Sequence, residues 1–139
     1  MTWILYALLS AVFAAAVAIL GKIGLKNVDS TLATTIRAVV MAIFLLGAST
    51  VLNKSPLLKT VENKTLTFII FSGVAGALSW LFYFLALKYG PATSVAALDR
   101  LSVVFVVILA AIFLGEALTI KSISGLVLLV LGALLLVWK

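Results

Sequence analysis

The sequence predicts an all-α, polytopic membrane protein with five transmembrane helices. Hydrophobic residues make up 65% of its 139 residues and charged residues 10%, whereas soluble globular domains contain about 45–50% and about 25%, respectively. A mean hydropathy of +1.38 leaves too few polar residues to cover a surface exposed to water. The third observation is a set of five uninterrupted apolar runs, each long enough for a helix to cross a bilayer.

These apolar runs define the predicted spans and their boundaries. They cover residues 2–20, 32–52, 66–87, 92–114 and 120–138, and together they form a single membrane domain over residues 1–139. Helices are required because the alternating pattern of a β-barrel strand is missing from runs such as residues 103–111. An odd number of spans places the two termini on opposite sides of the membrane.

The connections between the spans carry turn residues and most of the charge. Gly90 and Pro91 separate the third and fourth spans, since glycine can end a helix and proline is tolerated in the first turn of the next. These two spans are therefore predicted to form a tight hairpin. The gap between the fourth and fifth spans, residues 115–119, is the least distinct because it is only slightly polar.

Residue types that support catalysis and metal binding are missing. The chain has no cysteine and no histidine, which excludes disulfides, thiolate metal sites and the commonest general base. We therefore expect neither an enzyme nor a bound metal or cofactor. Ten Lys and Arg residues against four Asp and Glu residues give a charge of +6, but they form no basic run, so nucleic acid is not an expected partner.

Three charged side chains fall inside the predicted spans, and all lie about 7–12 Å from the same end of those spans. They are Arg37 in the second span and Asp99 and Arg100 in the fourth. A charge inside hydrocarbon is costly, so such side chains usually face protein or water. Asp99 and Arg100 are about 100° apart on one helix, so Asp99 is expected to pair with Arg37.

The pair of Asp99 and Arg37 has two interpretations, a site that binds substrate or protons and a structural salt bridge. For Arg100, which is outside this pair, a structural role is favoured. Two arginines against one aspartate favour an anionic or zwitterionic ligand. Trp80 and Tyr83 share a face of the third helix at the same depth, where they can line a pocket, pack or face lipid. Ser102 shares a small-residue face of the fourth helix with Asp99 and completes the candidate site.

Gly125 and Gly132 lie on one face of the last helix because they are seven residues apart. Faces of small residues let membrane helices approach each other closely. The sequence leaves two alternatives open for this face, a contact within the chain and a contact between the subunits of a dimer.

The second half of the chain carries a family resemblance. The stretches concerned are YFLALKYGPA at residues 83–92, LDRLS at 98–102, FLGE at 113–116, and the glycines at 125 and 132. This pattern resembles the EamA domain of the drug/metabolite transporter superfamily in its short, single-domain form. Gly21-Lys22 after the first span also fits, so the match covers nearly the whole chain. The resemblance implies a transporter, whose full-length relatives carry two five-helix domains in inverted orientation.

The last helix also resembles the final helix of small multidrug resistance transporters, whose homodimers pack through it. Those transporters couple to protons through a glutamate in their first helix, whereas residues 3–20 contain no acidic residue here. The resemblance therefore implies the architecture but not a proton-coupled exporter of aromatic cations.

The expected function is transport of a small metabolite or toxic compound by alternating access in the cell (inner or plasma) membrane. The transporter would be a homodimer of five-helix units, with the substrate bound between the third and fourth helices. Two alternatives remain open. One is a non-transporting subunit or scaffold that pairs with a different half-domain, and the other is a flippase for a lipid-linked substrate.

The lysines give only a weak signal for orientation in the membrane, because four lie on each side. They are Lys54, Lys59, Lys64 and Lys121 on the N-terminal side and Lys22, Lys26, Lys88 and Lys139 on the other. Dual topology and an antiparallel homodimer are therefore predicted. The alternative is a fixed orientation set by the two arginines, with a parallel dimer or another partner.

Overall fold

The structure is a computed structural model that describes residues 2–138, except for the side chains of Leu58 and Lys59. Met1 and Lys139 lie outside it. Of the lysines in the orientation count, Lys139 is therefore not described, and Lys59 is described without its side chain. The α-helices are α1 (Thr2–Gly24), α2 (Ser30–Val51), α3 (Asn63–Tyr89), α4 (Ala92–Asp99), α5 (Ser102–Leu109) and α6 (Ile120–Val137). Two 3₁₀ turns (Leu25–Asn27 and Ser55–Thr60) and a π-turn (Ala110–Leu114) complete the elements.

The predicted all-α membrane architecture is confirmed. Between residues 2 and 138, five helical segments are long and apolar enough to cross a membrane. They are Thr2–Asn27, Ser30–Val51, Asn63–Tyr89, Ala92–Leu114 and Ile120–Val137. Many large apolar side chains on these segments are exposed, which suits a chain that lies in lipid. The positions of the termini on opposite sides stay a prediction.

The helices extend beyond several of the predicted span ends. The first helix continues to Gly24 rather than ending at Leu20, and the third begins at Asn63 rather than Leu66 and ends at Tyr89. The predicted ends mark where side chains become polar, whereas a helix ends where its backbone hydrogen bonds stop. Backbone bonding therefore continues past the apolar run into the interfacial region.

The fourth span is interrupted, although the sequence predicted one helix over residues 92–114. Arg100 and Leu101 form a short 3₁₀-like turn between α4 and α5, in which the Val103 N–H donates to the Arg100 carbonyl at 3.1 Å. The Leu101 N–H likewise donates to the Leu98 carbonyl at 3.0 Å. Bonds across three residues instead of four tighten the backbone where the charged residues lie.

The end of the fourth span confirms the predicted gap before the fifth. After the π-turn, Gly115 adopts a left-handed conformation with φ of 69°, which glycine adopts without steric cost. The Glu116 N–H then donates to the Ala110 carbonyl at 3.2 Å. Thr119 begins α6 as its N-cap, because its side-chain oxygen accepts the Ser122 N–H at 3.1 Å.

The helices fall into two compact units, of which the first comprises residues 1–22 and 89–139. Within it, α4 packs on α6, and Val95 and Ala133 are buried. The Ser94 hydroxyl donates to the Leu136 carbonyl at 3.2 Å. The Lys22 ammonium donates to the Gly90 carbonyl at 2.9 Å, which ties α1 to the turn before α4. Pro91 is the N-cap of α4, which begins at Ala92, the predicted start of the fourth span.

The second unit comprises residues 23–88 and contains α2 and most of α3. Asp29 is the N-cap of α2, and its carboxylate accepts the N–H groups of Thr31 at 2.8 Å and Leu32 at 3.1 Å. The same carboxylate lies 3.9 Å from the ammonium of Lys88 near the end of α3. Hydrogen bonds from Leu32 and then Thr31, with a smaller effect of Lys88, hold the pKa of Asp29 below its ordinary value of 3.8.

Asp29→Asn is expected to lower the thermal stability of the protein in detergent at pH 6. A carboxyl whose folded-state pKa is lowered stabilises the fold above its unfolded-state value. That contribution begins to decline near the ordinary value of 3.8 and is lost as the pH falls through the lowered folded-state pKa. The melting temperatures of wild type and variant, followed by circular dichroism, should therefore converge at acidic pH. Glu62→Gln is the matched control. A difference in melting temperature between wild type and Asp29→Asn that does not change with pH would contradict this account.

Candidate functional site

The antiparallel arrangement of α2 and α3 in the second unit positions the candidate site. The contact between Asp29 and Lys88 brings the start of α2 beside the end of α3. Arg37 lies seven residues into α2 and Trp80 nine residues before the end of α3. At 1.5 Å rise per residue, both side chains start about 10–14 Å from this end of the helix pair.

The Arg37 guanidinium lies directly over the indole ring of Trp80. Its central carbon is 3.6 Å from the centroid of the Trp80 ring and 5.5 Å from that of Phe84. Because the face of an aromatic ring is electronegative, it stabilises a cation by about 0.5–2 kcal/mol, depending on how far water is excluded. Trp80 therefore holds a positive charge inside a membrane-spanning helix pair.

Three rings of α3 form the aromatic side of the site. Trp80 meets Tyr83 edge-on with ring centroids 5.5 Å apart, and it meets Phe84 edge-on at 6.1 Å. Phe84 is only 4% exposed. The sequence analysis missed Phe84, although its spacing of four residues from Trp80 places the two rings on one helix face.

A cavity of about 770 Å³ opens between α2 and α3 beside the Arg37–Trp80 pair. We call it the α2–α3 cleft, whereas the sequence analysis placed the substrate between the third and fourth helices. Its walls are mainly apolar, and they include Ala38, Met41 and Leu45 from α2 and Val74, Ala77 and Leu81 from α3. A cleft of this size and character is typical of sites that bind small organic molecules.

The polar residues of the cleft are threonines at the start of α2, which the sequence analysis also missed. The Thr34 hydroxyl donates to the Ser30 carbonyl at 2.8 Å, and the Thr35 hydroxyl donates to the Thr31 carbonyl at 2.9 Å. Their hydrogens are thus bound within α2, so the side-chain donors that remain in the cleft lining belong to Thr31, Trp80 and Arg37, and Arg37 has the most of them.

Asp99, Arg100 and Ser102 belong to the first unit, where they surround the interruption of the fourth span. Asp99 is the last residue of α4 and is partly buried, whereas Arg100 is exposed in the turn and Ser102 begins α5. The structure thus brings together Arg37, Trp80 and Tyr83 in one unit and Asp99, Arg100 and Ser102 in the other. The pairing of Asp99 with Arg37 stays a prediction.

Gly125 and Gly132 both face open space on α6. A β-carbon built at either position has no atom within 4 Å among the described residues. The least exposed residues of α6 lie on a neighbouring face that includes Leu126, Leu129 and the buried Ala133. The glycine face therefore makes no close contact with the described residues of the chain. The other alternative, a contact between the subunits of a dimer, stays a prediction.

Comparisons with known proteins agree with this architecture. The sequence model of the EamA-like transporter family matches residues 1–138. A Sinorhizobium protein described as an uncharacterized transporter in the cobO 3′ region is 40% identical over 135 residues, which cover 97% of this chain and 96% of that protein. No solved structure matches the chain.

Proposed function

Since the chain belongs to the EamA-like transporter family, we propose that two copies of it carry a small molecule across the plasma (inner) membrane by alternating access. That it is a membrane transporter follows from the family and from the five segments able to span a membrane. The dimer, the mechanism and the membrane in which it resides are our proposal.

The observation that carries the proposal is the Arg37–Trp80 pair at the α2–α3 cleft. A charged side chain inside a membrane helix costs about 2.5–3.5 kcal/mol on insertion scales, and such residues mark substrate and ion pathways. Here the charge borders a cavity of about 770 Å³. A purely structural subunit would have no need of a cavity beside this charge.

Two inverted copies would supply the two halves that alternating access requires. Transporters of many folds move one repeat against another of opposite orientation, with the substrate held between them near the middle of the bilayer. The open face of α6 that contains Gly125 and Gly132 supports contact between copies, because small residues there let two helices approach closely.

Within this transporter, we assign the candidate residues to binding and to charge balance. Asp99 would be the group that takes up a proton or that pairs with Arg37 while no substrate anion is bound, and Trp80 and Tyr83 would contact the apolar part of the substrate. Arg100 and Ser102 border the 3₁₀-like turn in the fourth span and would adjust the polarity around Asp99.

Proteoliposomes test the transport function. Vesicles with and without the purified protein are loaded with a small-molecule extract of the host cell, and mass spectrometry follows which solutes leave. A defined subset should be depleted with time only in vesicles that contain protein. A matched control carries Leu45→Trp and Ala77→Trp, which fill the α2–α3 cleft and should stop the depletion without changing the size-exclusion profile.

Three results would separate the proposal from its alternatives. If well-folded dimers release no solute, the transport function of the homodimer is contradicted. That result would favour the alternative in which the chain is a subunit that needs a different half-domain. Release that starts only when that second protein is added would identify an obligate heteromer. Movement of a fluorescent lipid between leaflets, with no loss of soluble solutes, would identify a flippase.

A further inference from the structure

We propose that the α2–α3 cleft binds an amphiphilic organic anion, with the Arg37 guanidinium holding the anionic group and the cleft walls holding the hydrocarbon body. This inference rests on the proposed transport function, since it names the chemical class of the compound carried. It requires three properties of the cleft, namely an unbalanced positive charge, free donors of suitable geometry and an apolar chamber.

The charge of Arg37 is not balanced within its own unit. The acidic residues of the unit are Asp29 and Glu62. Asp29 lies beside Lys88 at the end of the helix pair, and neither carboxylate lines the cleft. Among the described residues of this unit, Arg37 forms no salt bridge, so its charge attracts an anion into a region where water screens it poorly.

The contact with Trp80 uses the face of the Arg37 guanidinium and not its N–H donors. Trp80 covers a face of the guanidinium, whereas the five N–H donors point outward in the plane of the group. Among the described residues of the unit, the contacts of the Arg37 guanidinium are those with the rings of Trp80 and Phe84. A carboxylate or phosphate can accept two parallel N–H bonds from such a fork, which a lysine ammonium cannot offer.

The walls of the cleft determine the rest of the ligand. Ala38, Met41 and Leu45 on one side and Val74, Ala77 and Leu81 on the other offer no hydrogen-bonding side chains. The hydroxyl hydrogens of Thr34 and Thr35 are already donated within α2, so Thr31 is the lining threonine whose hydrogen is not used in this way. A sugar or a nucleotide would leave most of its own polar groups unpaired here, whereas a hydrocarbon body fits. The anion can be a soluble amphiphile or an anionic lipid, because both present the same chemistry.

Trp80 itself can report binding once the other tryptophans are removed. In a Trp3→Phe/Trp138→Phe background, the fluorescence of Trp80 is titrated in phosphatidylcholine nanodiscs with 4-phenylbutyrate, its neutral amide and 4-phenylbutylammonium. These probes share one hydrocarbon body and differ in head-group charge. The carboxylate should bind with saturation and at least about tenfold more tightly than the amide, and the ammonium should show no saturable binding.

Substitution of Arg37 then tests the named donor. Arg37→Gln should weaken phenylbutyrate binding at least about tenfold, and Arg37→Lys should restore it only in part because the fork is lost. Lys26→Gln removes the same charge from an exposed position of the same unit and should leave the affinity unchanged. The comparison of the three probes uses intact Arg37, so it does not depend on the folding of any Arg37 variant.

The lipid composition separates the two sources of the anion. When phosphatidylglycerol replaces part of the phosphatidylcholine, competition with phenylbutyrate would identify a lipid anion, and an unchanged affinity would identify a soluble one. Equal binding of carboxylate and amide, preference for the ammonium, or full affinity in Arg37→Gln would overturn the proposal. Carboxylate binding without solute release from proteoliposomes would refute the transport function alone, whereas release of cations only would refute this inference alone.

Discussion

A reporter fused after Lys139 is expected to report both sides of the membrane in about equal amounts. Lysine and arginine bias normally fixes the orientation of a membrane protein, and the predicted topology puts four lysines on each side. Two added lysines should therefore decide the orientation. Ser55→Lys/Thr65→Lys and Asn27→Lys/Tyr89→Lys add them to opposite sides, and each variant should insert in one orientation, opposite to that of the other.

Transport should depend on having both orientations in one membrane. Each lysine variant alone should lose transport to the level of empty vesicles, and co-expression of the two should restore it, because the antiparallel pair is then rebuilt. Glutamine at the same positions is the matched control and should preserve mixed orientation and activity. An unmodified protein that inserts in one orientation and still transports without a partner would refute the antiparallel dimer.

Disulfide cross-linking adds a geometric readout of the same dimer. Because the chain has no native cysteine, single cysteines on α6 report only designed contacts. If the final helices of two copies cross antiparallel between Gly125 and Gly132, then Gly125→Cys in one copy should join Gly132→Cys in the other. A parallel crossing would instead join each position to itself. Val127→Cys, on the opposite face of α6, should form neither product.

The spans were predictable because a bilayer imposes a length and a composition on every helix that crosses it. The five apolar runs therefore coincide with the five segments, but their ends do not. The extension of α3 to Asn63 follows from backbone hydrogen bonds, which side-chain polarity does not report. The turn at Arg100 and Leu101 contains neither glycine nor proline. No local signal marks it, and a continuous helix was the natural prediction.

For the site, the sequence predicted how deep the residues lie in the membrane but not which helix faces meet. Spacing from the span ends placed Arg37 and Trp80 at a comparable depth, because the rise of a helix is constant. Which faces of α2 and α3 meet depends on packing, so the 3.6 Å contact of Arg37 with Trp80 required the structure. Asp29 was overlooked for another reason. It precedes the apolar run that begins α2, as N-cap residues do. It therefore lies outside the spans, and only charges inside the spans were considered as site residues.

Asp99→Asn is expected to abolish the pH dependence of transport while the protein stays folded. Asp99 ends α4 next to the 3₁₀-like turn and is partly buried, so its environment can change when the fourth span moves. If its carboxyl takes up a proton in each cycle, the rate must follow its protonation. The amide keeps the shape of the side chain but cannot titrate, so the rate of the variant should be flat across pH.

The measurement is the rate of solute release from proteoliposomes at several pH values, with size-exclusion chromatography as the test of folding. Glu116→Gln removes a carboxylate from an exposed position of the same unit and should keep the wild-type profile. Identical pH profiles for wild type and Asp99→Asn would show that Asp99 does not couple protons to transport.

Charge reversal separates a functional group from a structural ion pair. Asp99→Arg alone should prevent assembly if the predicted pairing with Arg37 exists, because two partly buried cations would then face each other. Adding Arg37→Asp restores the attraction with its sign inverted, so assembly should recover. Transport should not recover if Arg37 also binds the substrate anion, since the reversed pair presents its carboxylate to the α2–α3 cleft. Recovery of both assembly and transport would show that the pair is only a structural salt bridge. Assembly of the single variant Asp99→Arg would show that the two side chains do not pair.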